Sequence, residues 1–298
     1  AKSGYSRSKL LMPLVFAAAM GGNISLIGAP GNLIAQAALQ DIGLNFSFFD
    51  YGKIGIPMLI AGILFFATIG YKLLPDQPSV QTETTFDEEV DYSSVPAWKQ
   101  YLALIILVHT ILAMIFEDAI GISLAISGSI GAILLILTGV ISEKQAIKSI
   151  DMQTIFLFGG TLSLAKALEV TGAGEKIAEV VIGAIGENSS PFLLLVVIFV
   201  LACVMTNFMS NTATTALLVP ISISIANGMG ADPSAVVMAT VIAGSCAYAT
   251  PIGMPANTMV LAPGGYKFTD YVKAGLPLIV VSTIVSLVLL PIFFPFYP

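Results

Sequence analysis

The chain is poor in charge. Only 10% of its 298 residues are Asp, Glu, Lys or Arg, against about 25% in a soluble domain. So few charges cannot solvate the surface of a globule of this size. Histidine is nearly absent, with His109 alone in an apolar run. There it is expected to pack or hydrogen-bond as a structural residue. The two cysteines, Cys203 and Cys246, also lie inside apolar runs. They lack metal-ligand or redox spacing and read as small packing residues. With one histidine and no pair of aspartates in the apolar runs, an intramembrane hydrolase has no catalytic apparatus, and the chain reads as a non-enzyme.

What the chain has is apolar length. Hydrophobic residues make up 56% of it, and long apolar runs alternate with short charged links. That pattern predicts an all-α polytopic membrane protein. The runs are 10–39, 54–74, 100–117, 120–141, 153–170, 191–227, 234–262 and 273–296. Residues 173–187 differ. Ala173, Ile177, Val180, Val181 and Ile185 alternate with Glu175, Lys176 and Glu179, as in an amphipathic helix lying in the interface plane. Much of the acidic excess sits between Asp76 and Asp91, in a segment that reads as a solvated linker over 75–98. Glu117, Asp118, Lys166 and Glu169 fall at span ends, and Phe158-Gly159-Gly160 reads as close helix packing.

Three runs are interrupted. Run 10–39 carries Ile27-Gly28-Ala29-Pro30-Gly31-Asn32, and run 234–262 carries Thr250-Pro251-Ile252-Gly253-Met254-Pro255-Ala256-Asn257. Run 191–227 carries Thr206-Asn207-Phe208-Met209-Ser210-Asn211-Thr212 at its centre, with flanks of half-span length, as expected of a re-entrant hairpin. Irregular backbone at membrane depth survives only when buried in protein or lining a cavity.

Two of these interruptions repeat each other. Ile27-Gly28-x-Pro30-x-Asn32 matches Ile252-Gly253-x-Pro255-x-Asn257 at an offset of 225 (252 − 27). Phe48-x-Asp50-Tyr51-x-Lys53-x-Gly55-Ile56-Pro57 matches Phe268-x-Asp270-Tyr271-x-Lys273-x-Gly275-Leu276-Pro277 at 220 (268 − 48). If the spans alternate and 191–227 re-enters, one face receives Lys2, Arg7, Lys9, Lys72, Lys99, Lys144, Lys148, Lys267 and Lys273. The other receives only Lys53, Lys166 and Lys176. The first face is then cytoplasmic, with the 75–98 linker on it and the C-terminus outside. Lys53 and its mate Lys273 fall on opposite faces, so the copies are inverted. Inverted repeats with broken helices are the architecture of secondary transporters. The expected domains are the end of a first repeat (1–74), the linker, and a complete second repeat (99–298). A mate of Ser210-Asn211-Thr212 is expected upstream of Ala1, near −15 (210 − 225).

No Asp, Glu, Lys, Arg or His lies between Leu10 and Gln40, Pro191 and Gly230, or Pro233 and Ala262. The interruptions offer hydroxyls, amides and helix ends instead. Half-helix N-termini suit an anion. Unwound carbonyls suit Na⁺. A divalent anion in a dry site needs compensation, and co-bound cations supply it where no arginine clamp does.

At Ser210-Asn211-Thr212-Ala213-Thr214, with its two Ile-Gly-x-Pro-x-Asn loops, the chain resembles the divalent anion:sodium symporter (DASS) family over essentially its whole length. The resemblance implies two Ser-Asn-Thr hairpin tips, each forming a sodium site with the broken helix that follows. It also implies a divalent anion bound between the sites, a homodimer in the inner membrane of a prokaryote, an elevator-like movement and no nucleic-acid partner. One sodium site would use Thr206, Met209, Asn211 and Gly253, and Gly28 would serve the other. The anion would touch Ser210, Asn211, Thr212, Pro255, Ala29 and Pro30. Met254, Gly31 and Ala256 depart from the proline- and threonine-rich loops of dicarboxylate carriers, which leaves di- or tricarboxylate and sulfate both open. A proton-coupled antiporter or an oxyanion efflux permease of the same architecture is the alternative.

Overall fold

A computed structural model describes residues 6–76, 95–150 and 190–297, with scattered positions between 152 and 183. Linker residues 77–94, together with Phe158, Lys166, Glu169 and much of the 173–187 segment, lie outside the described residues. Every regular element among the described residues is helical. The chain forms two compact units, residues 1–82 with 156–298, and residues 83–155.

The larger unit holds α1 (Arg7–Gly21), α2 (Pro30–Gln40) and α3 (Gly52–Thr68), which is followed by a 3-10 turn at Gly70–Leu73. The smaller unit holds α4 (Ala97–Ile115), α5 (Glu117–Ile120), α6 (Leu124–Leu137) and α7 (Glu143–Lys148). The larger unit resumes with α8 (Pro191–Thr206), α9 (Asn211–Gly228), α10 (Ser234–Gly244), α11 (Pro255–Leu261) and α12 (Phe268–Phe293). All three predicted interruptions are breaks between helices. Proline at the first position of α2, α8 and α11 marks where helix starts, since its missing N–H would have no helical partner there.

The core of the larger unit is α10. Every residue from Ala235 to Gly244 is buried. A helix apolar on all sides belongs in such an interior, and α8, α9, α12 and α2 surround it. The two helices that follow the matched interruptions, α3 and α12, pack on each other. Gly62 makes room there: a methyl on it would press on Met20 Sδ at 2.6 Å and meet Leu278 at 3.7 Å. The second arm of one region packs on the other, since α2 lies on α9 and α11 lies on α1. Tyr266, in the loop after α11, ties itself to α1. Its hydroxyl donates to Ser8 O (2.7 Å) and accepts from the Met12 N–H (2.9 Å). Burial pushes this phenol up to about 12, so it keeps its proton.

In the smaller unit α4 packs on α6, with Gly131 closely against Thr110. The outer faces carry exposed apolar side chains such as Leu104, Ile105, Val108, Ile130 and Ile133. His109 is exposed, with Nδ1 at 2.8 Å from Ile105 O, the geometry of a ring N–H donated within its own helix. Among the described residues, two helices are long and apolar enough to cross a membrane, α4 and α12. With 26 residues α12 spans roughly 39 Å, beyond the roughly 30 Å of a hydrocarbon core.

Candidate functional site

The matched loops are the same object built twice. At the first, the Asn32 amide donates to Gly22 O (3.1 Å) and Ser25 O (2.9 Å). At the second, the Asn257 amide donates to Ala247 O and Thr250 O, both at 2.8 Å. Each partner pair keeps the sequence offset of 225. The acceptors are backbone carbonyls released where a helix ends, which need donors when buried. A tyrosine then fixes each asparagine from behind. Tyr51 donates to Asn32 O at 3.1 Å and Tyr271 to Asn257 O at 2.7 Å. The residues before the two prolines, Ala29 and Met254, have nearly the same extended backbone (φ −148°, ψ 149° and φ −147°, ψ 149°). Pre-proline sterics favour that conformation.

The glycines of the shared signature follow from contact. A methyl on Gly55 would collide with Asn23 O, and one on Gly275 with Tyr248 O, the mate of Asn23. Gly28 lies against the backbone of Gly22, and Gly253 against Ala247 and the carbonyl of Thr206.

The third interruption, Asn207–Ser210 between α8 and α9, is held to the second loop. Asn207 Nδ2 donates to Cys203 O (2.7 Å) and Cys246 O (3.3 Å). Its Oδ1 accepts from the Ala249 N–H (2.8 Å), and its carbonyl accepts from the Thr250 hydroxyl. The Thr206 hydroxyl donates to Gly244 O. Ser210 caps α9, its Oγ accepting from the Ala213 N–H at 3.2 Å.

Asn211 opens α9 and lies where the three regions meet. Its Oδ1 accepts from Thr215 Oγ1 (3.2 Å) and its Nδ2 donates to Ser245 Oγ (3.0 Å). Ser245 Oγ in turn donates to Asn23 Oδ1 (3.0 Å), which reaches the first loop. Methyls on Gly31 or Gly244 would press on Asn211 Oδ1 and Thr215 Oγ1 at 2.9–3.2 Å, so both glycines are there for clearance.

The structure therefore brings together several of the residues singled out by sequence. Thr206 lies against Gly253. Asn211 lies against Gly31, which follows Ala29 and Pro30. Gly28, Pro30, Ser210 and Pro255 are exposed, and Ala29, Met209 and Thr212 are half-buried beside these contacts. Sequence reasoning missed Asn23, Thr215 and Ser245. It carried Asn32, Asn257, Tyr51 and Tyr271 inside the signatures without seeing their work as latches.

The sequence pattern of the citrate transporter family (CitMHS) matches residues 1–243 and 188–297. The chain belongs to that family. Among its relatives is an uncharacterized transporter of Haemophilus influenzae, 31% identical over 293 residues, which cover 93% of this chain and 60% of the relative. The uncharacterized transporter YfbS of Escherichia coli is 40% identical over 156 residues, 52% of this chain and 25% of YfbS. The sodium-dependent dicarboxylate transporter SdcS of Staphylococcus aureus is 24% identical over 301 residues, 93% of this chain and 56% of SdcS. These matches make the chain a DASS-like member of a family of membrane transporters. Relatives named as transporters point away from an enzyme. The chain spans 25% to 64% of the length of the first three relatives it matches.

Proposed function

We propose that the protein carrying this chain is a sodium-coupled symporter that imports a small divalent anion by alternating access. The observation that carries this reading is the meeting of two equivalent helix breaks at Asn211, in a polar site that holds no charged side chain. Asn211 Oδ1 and the carbonyls near Gly253 are hard oxygen donors, the ligand type Na⁺ prefers. On this reading Thr206, Met209, Asn211 and Gly253 surround one Na⁺, and Gly28 serves a second. The anion lies between them, against Ser210, Asn211, Thr212, Pro255, Ala29 and Pro30. The co-bound cations offset the anion's charge in the absence of an arginine.

The same reading makes the loops parts of inverted repeats, 1–74 and 99–298, joined by a cytoplasmic linker over 75–98, with run 191–227 re-entrant and the C-terminus outside. The carrier is a homodimer in the inner membrane. A di- or tricarboxylate and sulfate both fit an anion of this charge. A proton-coupled antiporter on the same architecture would want a titratable group at mid-membrane, and the site segments contain no Asp, Glu, Lys, Arg or His.

Uptake of labelled succinate and sulfate by the complete protein in proteoliposomes, with and without a Na⁺ gradient, tests the proposal. One of the two anions is expected to accumulate only with inward Na⁺. Equal uptake without Na⁺ removes the coupling, and uptake of neither removes the anion class.

A further inference from the structure

The polar bridge between the loops has a direction. Thr215 donates to Asn211 Oδ1, Asn211 Nδ2 to Ser245 Oγ, and Ser245 Oγ to Asn23 Oδ1, at 3.2, 3.0 and 3.0 Å. The Asn211 amide accepts on its oxygen and donates from its nitrogen, and Asn23 accepts on its oxygen, so the three bonds point the same way. Such bonds polarise one another, and the effect gathers at the last donor. That donor is Asn23 Nδ2. It is fully buried and has no hydrogen-bond partner among the described residues. A dry, unpartnered N–H is costly and is tolerated where something else occupies it.

The bond orientations follow from the neighbours. Ser245 Oγ has a second acceptor in reach, Val241 O, but that contact is 3.3 Å, against 3.0 Å to Asn23. The shorter bond takes the hydroxyl proton. The amide of Asn23 then turns its oxygen to Ser245 and leaves its nitrogen without a partner among the described residues. Asn23 belongs to the first loop, between the two carbonyls gripped by Asn32. It is joined to Asn211 through a single atom, Ser245 Oγ.

We infer that Asn23 is an anion-orienting residue: Nδ2, at the end of the Thr215–Asn211–Ser245 chain, donates to one oxygen of the transported anion, and Ser245 is the positioning residue that aims it. This rests on the anion-carrier reading above. It assigns the first loop a donor at a position outside the Ser-Asn-Thr and Gly-x-Pro signatures. A polarised amide suits a carboxylate or sulfate oxygen and repels Na⁺, so the effect belongs to the anion alone.

The test is uptake by the complete protein in proteoliposomes, normalised to protein in the membrane, with labelled succinate and sulfate titrated at saturating Na⁺ and Na⁺ titrated at saturating anion. Asn23→Leu and Ser245→Ala are each expected to raise the anion KM about tenfold, with kcat and Na⁺ half-saturation little changed. Ser245→Thr, which keeps the bridging oxygen, restores the KM. Asn23→Asp abolishes uptake by placing a carboxylate against the anion. An unchanged anion KM in Ser245→Ala overturns the inference, even where Asn23→Leu fails to reach the membrane. A shift in Na⁺ half-saturation in place of the anion KM also overturns it, because the free atom is then the amide oxygen. Loss of wild-type uptake of both anions is a separate result that brings down the carrier reading itself.

Discussion

Gly28 is exposed at the first loop, while its mate Gly253 is buried at the second, although the two loops share latches and backbone angles. The helix entering the second loop, α10, is buried at every position from Ala235 to Gly244. The helix entering the first, α1, is buried at only a third of its positions, among them Met12, Val15, Phe16 and Met20. The second loop is also gripped from α8 by Asn207, through Cys246 O, the Ala249 N–H and the Thr250 hydroxyl. Among the described residues, the first loop is tied to its surroundings through Ser245 to Asn23 and through the Leu26 N–H to Phe48 O (2.9 Å). One local design in two environments separates what fixes a loop's shape from what fixes its place. The latches set the shape in both, and burial and cross-ties hold the second more firmly.

The largest expected difference is at the latches. Removing the Asn257 amide takes the donor from two loop carbonyls, Ala247 O and Thr250 O, whereas removing that of Asn32 strips Gly22 O alone, because Ser25 O also accepts from the Gly28 N–H (3.1 Å). Both bonds are fully buried at Asn257 and part-buried at Asn32. Asn257→Ala is expected to cost about 2–5 kcal/mol and Asn32→Ala about 1–3 kcal/mol, read from thermal unfolding of the purified protein in detergent. Equal losses would mean that burial of the second loop adds nothing.

Next come the glycines facing the loops. Alanine at Gly275 or Gly55 drives a methyl into a backbone oxygen, which outweighs the roughly 1 kcal/mol that alanine contributes to a helix. A net loss of about 1–3 kcal/mol is expected for each. Here the copies should agree, because the colliding atom is equivalent in both. A neutral result at Gly55 alone would show that the first loop yields where the second does not.

The smallest effect belongs to the tyrosines. Tyr271→Phe is expected to cost about 1 kcal/mol and Tyr51→Phe about half that, following bonds of 2.7 and 3.1 Å. The same melts measure it, and a reversed order would show that bond length does not rank the two sites.

The breaks were legible because Gly, Pro and Asn gather in them, and because a sequence written twice exposes its own constraints. Pro30 and Pro255 mark where helix restarts, and the offset of 225 holds from residue to hydrogen bond. The bridge was not legible. Ser245 pairs with Met20 in the repeat, and Asn23 with Tyr248, so neither stands in a shared signature. A lone serine or asparagine in an apolar run looks like packing until the partner 222 residues away is known. The partition into two compact units was equally hidden, because it follows contact between distant helices and cuts across the repeat boundaries. The apolar runs also overstate some helices: run 120–141 contains α6, which is 14 residues long.

The latches have a consequence for how the two loops keep their shape. Each asparagine commits both amide hydrogens within its own loop, and the tyrosine behind it fixes the asparagine's own carbonyl. The fold of each loop is thus set by the polypeptide's own hydrogen bonds. The conformational freedom of these residues is surrendered once, when the chain folds. The loops behave as a cast mould: on the carrier reading proposed above, solute would enter and leave without the walls melting or setting, and the interior would not have to refold between cycles.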